Sequence, residues 1–391
     1  MPYLFTYSLS YILCFLGEKS KNKIASYLFL ILSVFCVSFL AGMRDYTIGV
    51  DTVSYTKFFF ETVNSFSSFR AFYQHYIFSY EPGFIIWGYL IHLISDEYNC
   101  FLFMTACVIY GFVMCSLRYY KNFCSISMAW LFFITFSCTE ALNITRQYMA
   151  MSIAVWAFHY LTEKKYLKYF LWTLIAMSFH VSAVISFIVM IIYLIIKRNN
   201  KFVTRFGVIS AFLLLILGFE IIVSIFSRIG FIANKLSFYI NGAHYSFQIN
   251  PFIIRVPFIM ILLLSRKSFR EKNHIFSYGH DILKHHKLTM GEKNYFQINK
   301  LNADFMVVLL FVEMIICQMR GINVGFYRMT GFFYVFKFVS YSRVIYTKKG
   351  IDKIVIYLFA YMYIITVFVY WTVILNSGHI YPYTSEILNI K

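Results

Sequence analysis

The chain has little charge and none of the common signatures for nucleotides or metals. Only 13% of its 391 residues are charged, too few to cover a soluble domain of this size. No P-loop, Gly-x-Gly-x-x-Gly or His-Glu-x-x-His pattern occurs, which argues against ATP-driven transport, nucleotide-cofactor chemistry and zinc proteolysis. The eight cysteines, Cys14, Cys36, Cys100, Cys107, Cys115, Cys124, Cys138 and Cys317, lie mostly within or at the ends of apolar segments, with no Cys-x-x-Cys pair. Neither a disulfide framework nor a zinc site is indicated. Period-2 alternation is missing, which excludes a transmembrane barrel. The first apolar run lacks both a basic leader and a small-residue cleavage site, so it is expected to stay in the protein.

What is present is apolar: 60% of the residues are hydrophobic, in runs separated by short basic clusters. Many runs are long enough to cross about 30 Å of hydrocarbon as helices. The fold class is therefore all-α, a single polytopic membrane domain over 1–391. The runs read as about 12 spans, at 2–17, 24–42, 99–117, 125–141, 143–161, 166–179, 181–196, 206–227, 251–265, 303–319, 327–342 and 354–375. With the N-terminus outside, the cytoplasmic loops 18–23, 118–124, 162–168, 197–205, 266–302 and 343–353 hold 24 of the 35 Lys and Arg residues. The positive-inside rule thus accounts for the net charge of +18 without a nucleic-acid partner.

One run breaks the pattern. Residues 81–94, opening Glu81-Pro82-Gly83-Phe84, are too few to span, and counting them as a crossing would put every later basic loop outside. They read as a re-entrant or interfacial helix within an outer loop at 43–98. A second outer loop is expected at 228–250. In the basic cytoplasmic loop 266–302, His274, His280, His285 and His286 stand among lysines. They leave open a metal site beside the simpler reading of a solvated segment near anionic headgroups.

With the cytoplasmic basics removed, eleven cations remain: Arg44, Lys57, Arg70, Arg146, Arg228, Lys235, Arg255, Arg320, Arg328, Lys337 and Lys391. Arginine at the outer end of an apolar helix opposes the topological bias. A phosphate or pyrophosphate suits its fork. Arg146, Arg255, Arg320 and Arg328 lie near outer helix ends, and converging they would form an anion pocket. Each could instead snorkel or pair with an internal acid such as Glu140. Glu220 and Glu313, inside helices, read as partners of an arginine or of neighbouring polar groups. The 46 Phe and 33 Tyr suit interfacial belts, while Tyr46, Tyr55, Tyr73, Tyr76, Tyr80, Trp87, Tyr239 and Tyr245 are candidates for stacking on sugar rings.

Several stretches carry a family resemblance. Arg44…Gly49-x-Asp51-Thr52-x-x-Tyr55, then Glu81-Pro82-Gly83-Phe84, resembles the start of the EpsG-type and Wzy-type polysaccharide polymerases. Asn143-Ile144-Thr145-Arg146-Gln147-Tyr148-Met149-Ala150 resembles their Arg-Gln-x-x-Ala helix start, and Ser178-Phe179-His180-Val181-Ser182-Ala183 their His-x-Ser-Ala segment. Arg328 opening an aromatic helix, and Tyr381-Pro382-Tyr383, resemble their C-terminal part. The similarity runs over roughly 40–383; the long loop 266–302 departs from it.

The resemblance implies a GT-C-like, metal-independent glycosyltransferase without cofactor, in the bacterial cytoplasmic (inner) membrane with its active site on the outer face. Its substrates would be donor and acceptor oligosaccharides on undecaprenyl pyrophosphate, and a chain-length regulator and a flippase would be further partners. Arg146 and Arg328 would bind the donor pyrophosphate, supported by Arg320 and Arg44, with Tyr55 and Gln147 among the substrate-binding residues. The base for the acceptor hydroxyl stays open among His180, Asp51 and Glu81. His180 lies where the stretch 166–196, about 46 Å as one helix, must turn, and its near-neutral pKa suits a base. It could equally be an apex residue bonded to Ser182. Asp51 could bind sugar hydroxyls or pair with Arg44. A glycan ligase needs the same pyrophosphate departure and is the closest alternative to the polymerase. A flippase or other transporter should show internal repeats, and none is evident.

The topology makes a direct expectation. In a background without exposed native cysteines, Ser67→Cys should react with an impermeant thiol reagent on intact spheroplasts and Ser277→Cys should not. Reversed labelling would overturn the orientation.

Overall fold

A computed structural model describes residues 2–197, 249–264, 305–314, 316–317 and 328–390. The predicted run 206–227, the loop 266–302 with its four histidines, Glu220, Arg228, Lys235, Tyr239, Tyr245, Arg320 and Lys391 lie outside the described residues, as does 228–250 except for its last two positions. Among the described residues the structure is helical, apart from one bridge between Ser385 and Ile390. The chain divides into a unit of residues 1–184 and 348–391 and a unit of residues 185–347.

The first unit begins with a hairpin of α1 (Pro2–Lys19) and α2 (Lys23–Met43). Asn22 caps α2 by accepting the N–H groups of Ile24 and Ala25, as its short side chain suits it to do. Next come a wide turn at Thr52–Thr56 and the short helices α3 (Lys57–Glu61) and α4 (Phe69–Tyr76). They are followed by α5 (Pro82–His92), α6 (Tyr98–Tyr119), α7 (Ile126–Phe136), α8 (Cys138–Asn143), α9 (Thr145–Thr162) and α10 (Tyr166–Phe179). The helix Gly350–Phe368 completes the unit, and its last turns widen over Val369–Ile374. Side by side, the packing order runs α7, α1, α2, α6, α9, α10.

Small polar residues tie these apolar helices. Ser10 and Ser33 each donate to the other's carbonyl at 2.8 Å, and Trp130 Nε1 reaches Ser10 Oγ at 2.9 Å. Such bonds matter where apolar faces alone give neighbours no preference over lipid. At one end of α7, the Glu18 carboxylate accepts the N–H groups of Ile126 and Ser127 and both hydroxyls of Ser125 and Ser127. It thereby pairs the first N–H groups of the helix, which have no partner within it.

Lys23–Met43, Tyr98–Tyr119 and Gly350–Ile374 are long and apolar enough to cross a membrane; Ile126–Phe136, Val181–Lys197 and Phe305–Met314 are shorter apolar helices. Helix α5, with 11 residues, is about 16 Å long and falls short of a crossing. The run 125–141 is broken where a single helix is expected. The Thr135 hydroxyl bonds back to the carbonyls of Leu131 and Phe132, a contact that bends helices, and α7 ends one residue later.

Between α2 and α6 the chain builds an aromatic layer. Phe59 stacks on Phe84 at 5.0 Å and meets Phe72, Tyr76 and Tyr80, while Phe60 stacks on Phe101 at 4.8 Å. Tyr76 and Tyr80 are buried in this layer and Trp87 donates to Thr105. Packing is thus a third role for aromatics whose sequence positions suggested belts or sugar stacking. Two glycines let α5 into it: a Cβ on Gly88 would lie 2.5 Å from the Phe59 ring, and one on Gly83 2.8 Å from the carbonyl of Ser178.

The closing segment clasps the loop after α2. Gly49 and Val50 donate to the carbonyls of His379 and Gly378, Asp45 N donates to Thr384 O and Glu386 N to Asp45 Oδ1. Tyr383 reaches Leu40 O, Tyr3 reaches Ile380 O, and Ser385 bonds Met43 O.

The second unit holds α11 (Ile185–Lys197), the helices Ile249–Leu264 and Phe305–Met314, a 3-10 segment Arg328–Phe333 and the helix Tyr334–Tyr346. Phe258 stacks on Tyr341 at 4.2 Å, and Phe305 joins Tyr193 to Phe336.

Gly83→Ala should cost about 1–3 kcal/mol by overpacking. Gly111→Ala, where nothing lies within 4 Å, should be neutral or gain about 0.5–1 kcal/mol. Thermal unfolding in detergent compares them, and equal midpoints would contradict the packing of α5 on α10.

Candidate active site

The site grows from a helix break. Helix α8 ends at Asn143, Ile144 leaves helical geometry with φ −93° and ψ 55°, and α9 restarts at Thr145. Arg146 is thereby the second residue of α9. A cation there faces the partial positive charge of unpaired N–H groups, so an acid has to compensate it. That acid is Glu81, whose Oε2 lies 2.9 Å from Arg146 Nη1; the side chains are 7% and 16% exposed. Glu140, the acid expected for this role from sequence, accepts the Tyr148 hydroxyl at 2.9 Å.

Three rings box the guanidinium: Tyr80 at 4.8 Å, Tyr55 at 5.0 Å and Phe84 at 5.6 Å. Their faces favour a cation at these distances. Arg146 Nε is buried with no hydrogen-bond partner. Arg44 Nε shares this condition; at Arg146 the unpaired donor stands beside a carboxylate and three rings and is open to a ligand or water.

Glu81 precedes Pro82, which starts α5 with a φ already suited to a helix. Its Oε1 accepts the Val181 N–H at 3.4 Å, at the start of the 3-10 turn Val181–Val184. His180 ends α10 in extended geometry. Its Nδ1 accepts the Ser182 N–H at 3.2 Å and faces Ser182 Oγ at 2.7 Å. His180 thus caps the helical segment that follows it, as the apex reading anticipates. With Nδ1 accepting, the neutral ring carries its proton on Nε2.

Asp51 approaches from the loop after α2. Its Oδ2 accepts the Tyr55 hydroxyl at 2.7 Å, and its N–H donates to Asn143 Oδ1 at 2.8 Å. Burial raises the Tyr55 pKa; Arg146 lowers it and Asp51 raises it further, leaving it above the ordinary phenol value. Tyr55 therefore remains a donor at neutral pH. Arg44 is 2% exposed and turns its donors to the scaffold: Nη1 to Ala41 O, and Nη2 to Leu142 O at 2.9 Å and Thr52 Oγ1 at 3.5 Å. Of the two groups read as a pair from sequence, Asp51 takes Tyr55 and Arg44 takes helix-end carbonyls.

The structure therefore links Asp51, Tyr55, Arg146, Glu81 and the His180 turn by successive contacts inside the first unit. Gln147 is buried on α9. Arg328 lies in the second unit, half-buried at the start of its 3-10 segment, and Arg320 lies outside the described residues. Arg255 is committed elsewhere. Its Nε lies 2.9 Å from both Glu313 oxygens and its Nη2 2.5 Å from Oε1, with Lys337 Nζ at 3.3 Å from the same oxygen. Asn143 and Phe84 are site residues that side-chain chemistry did not single out. Asn143 had one local signal, an amide at a helix end three residues before Arg146.

Apolar helices around a buried, ring-boxed arginine–carboxylate pair define an all-helical membrane protein. Comparison with known families places it further: the chain belongs to the EpsG family, whose model matches residues 26–385. No curated protein and no solved structure matches the chain.

If His180 Nδ1 serves as a cap, His180→Asn should hold stability near the wild type, whereas His180→Leu should lose about 1 kcal/mol. Thermal midpoints in detergent test this, and equal losses in both variants would contradict it.

Proposed function

We propose that this chain is a glycosyltransferase joining oligosaccharide repeat units carried on undecaprenyl pyrophosphate, at the outer face of a bacterial cytoplasmic membrane that it crosses many times. The observation that carries the reading is the Arg146 box: a cation at a helix N-terminus, held by one carboxylate and three rings, with a buried Nε still unpaired. Membership of the EpsG family is consistent with this role.

In the reaction a sugar hydroxyl of the acceptor attacks the anomeric carbon of the donor glycan. A glycosidic C–O bond forms, the bond from that carbon to the pyrophosphate oxygen breaks, and undecaprenyl pyrophosphate leaves with the electron pair. Negative charge grows on the leaving group. A guanidinium fixed beside it in a low-dielectric site lowers the barrier most. The hydroxyl proton needs an acceptor. His180, whose Nδ1 is taken by Ser182, offers an Nε2–H donor in its neutral form and suits a phosphate oxygen better. Asp51 therefore takes the proton, held by Asn143 at its N–H and by Tyr55 at Oδ2. Arg328, at the start of its 3-10 segment, is the candidate for a further cation that the family resemblance offers. Arg44 acts at one remove, by fixing the loop that carries Asp51. A flippase and a chain-length regulator are the partners this reaction calls for.

Arg146→Lys keeps charge but loses the fork, so chain synthesis should fall by about two to three orders of magnitude at equal membrane abundance. Glycan ladders on gels from cells expressing Arg146→Lys, Arg328→Lys and Asp51→Asn are the measurement. Single-repeat glycans in place of long chains support a polymerase. Wild-type ladders from Arg146→Lys would refute the reading, and ladders of unattached full-length chains would reassign the protein as a ligase.

A further inference from the structure

Arg146 Nη1 and the Val181 N–H are both groups that seek an anion. One is a guanidinium at the start of α9, and the other opens the helical segment that leads into α11. They come from distant parts of the chain, yet they share one carboxylate: Glu81 Oε2 takes the arginine at 2.9 Å and Oε1 takes the amide at 3.4 Å. Two oxygens on one carbon, bridging a guanidinium and a helix-start amide, are arranged as two oxygens of a phosphoryl group would be. Arg146 Nε, buried beside them, has no partner. A carboxylate has no third oxygen to offer it, whereas a phosphoryl group does.

We infer that Glu81 occupies the seat of a phosphate or pyrophosphate group and is exchanged for it when substrate binds. The inference rests on the function proposed above and deepens it: Glu81 becomes an internal competitor, a positioning residue in place of a base. Three features of the fold support this role. Glu81 stands at the N-cap position of α5 but makes no capping hydrogen bond there, so its carboxylate can leave without uncapping that helix. The rings of Tyr55, Tyr80 and Phe84 hold the guanidinium whichever anion it faces. Resting neutralisation by Glu81 also keeps a buried cation from standing uncompensated while the site waits for a ligand.

Competition sets the sign of the test. A ligand that must displace an occupant binds with an affinity reduced by the fraction of open sites. In the full-length protein in detergent, Glu81→Gln should therefore bind inorganic pyrophosphate about tenfold or more tightly than the wild type. Pyrophosphate should also raise its thermal midpoint by more. Arg146→Gln should lose binding. Turnover should separate from affinity, with the Glu81→Gln enzyme showing a lower KM for lipid-linked donor and slower product release. Glu81→Asp retracts the carboxylate by one methylene while keeping its charge, and should bind pyrophosphate with intermediate affinity. It decides the matter if the glutamine variant does not accumulate. Farnesyl pyrophosphate serves as the lipid-linked probe: tighter binding than inorganic pyrophosphate assigns the seat to a lipid carrier, and equal binding assigns it to the phosphate group alone. Pyrophosphate binding by Glu81→Gln or Glu81→Asp that equals or falls below the wild type would overturn the exchange and leave Glu81 as a structural partner. Loss of chain synthesis in Arg146→Lys with unchanged pyrophosphate binding in every Glu81 variant would sink the exchange and leave the catalytic reading standing.

Discussion

A carbonyl at a helix C-terminus inside an apolar protein has no water to satisfy it, and Arg44 answers two such ends at once. Its guanidinium bonds Ala41 O at the end of α2 and Leu142 O at the end of α8. The Thr52 hydroxyl joins on Leu142 O at 3.2 Å. The Asp51 and Arg146 side of the candidate site hangs from this clamp. With the end of α8 fixed, Asn143 can receive the Asp51 N–H, and three residues on Arg146 enters its ring of aromatics. Gly49 sits where a Cβ would fall 2.9 Å from Leu142 O, in backbone geometry (φ +98°) that side chains rarely adopt, so the loop can press directly on the helix end. The burial of Arg44 lowers its pKa, but an arginine keeps its charge in such surroundings, and the negative ends of two helix dipoles suit that charge.

Arg146 presents the opposite electrostatic situation. It sits at the positive end of α9, where the macrodipole opposes it by about 0.3–1 kcal/mol, and it is largely withdrawn from water. Glu81 offsets both terms. Buried pairs of this kind seldom stabilise a protein more than a well-packed apolar pair would, while breaking one costs roughly 3–5 kcal/mol. The Arg255–Glu313–Lys337 cluster of the second unit differs in this respect: Arg255 alone spans both Glu313 oxygens, the bidentate geometry of an ion pair complete in itself. Arg146 Nη1 meets its acid at 2.9 Å, and its Nε is unpaired.

Much of the helical layout could be read from the sequence, and the site could be read only in part. The apolar run 166–179 coincides with α10, and the runs 2–17, 24–42 and 99–117 match α1, α2 and α6 to within about two residues. Each is an uninterrupted apolar stretch stopped by charge or a cap, which is local information. The break after Phe136 follows a Thr135 hydroxyl that bonds back on its own helix, a contact that composition does not report. Arg146, Asp51, Glu81, Tyr55 and His180 stood out by type and position. Their partners did not: Glu140 is close to Arg146 in sequence, yet the acid that reaches it arrives from the start of α5. Arg44 was legible as a cation near a membrane surface, but its burial beneath the closing clasp depends on residues more than three hundred positions away.

The site's geometry follows from how few places in such a chain can hold charge. Apolar helices leave polar chemistry to their ends and to breaks between them, since only there are backbone groups unpaired and side chains able to meet them. The break at Asn143–Thr145 supplies one such place, the turn after α10 a second, and the start of α5 a third. Gly83, which lets α5 close on Ser178, brings the last two within reach of one carboxylate. Asp51 and Arg146 are both anchored to the same break, so a shift there moves both side chains together. Glu81 and His180 are anchored to the α5–α10 contact. The polar groups thus belong to two supports that already pack side by side, α9 against α10, and the Arg146–Glu81 pair adds a charged contact between them.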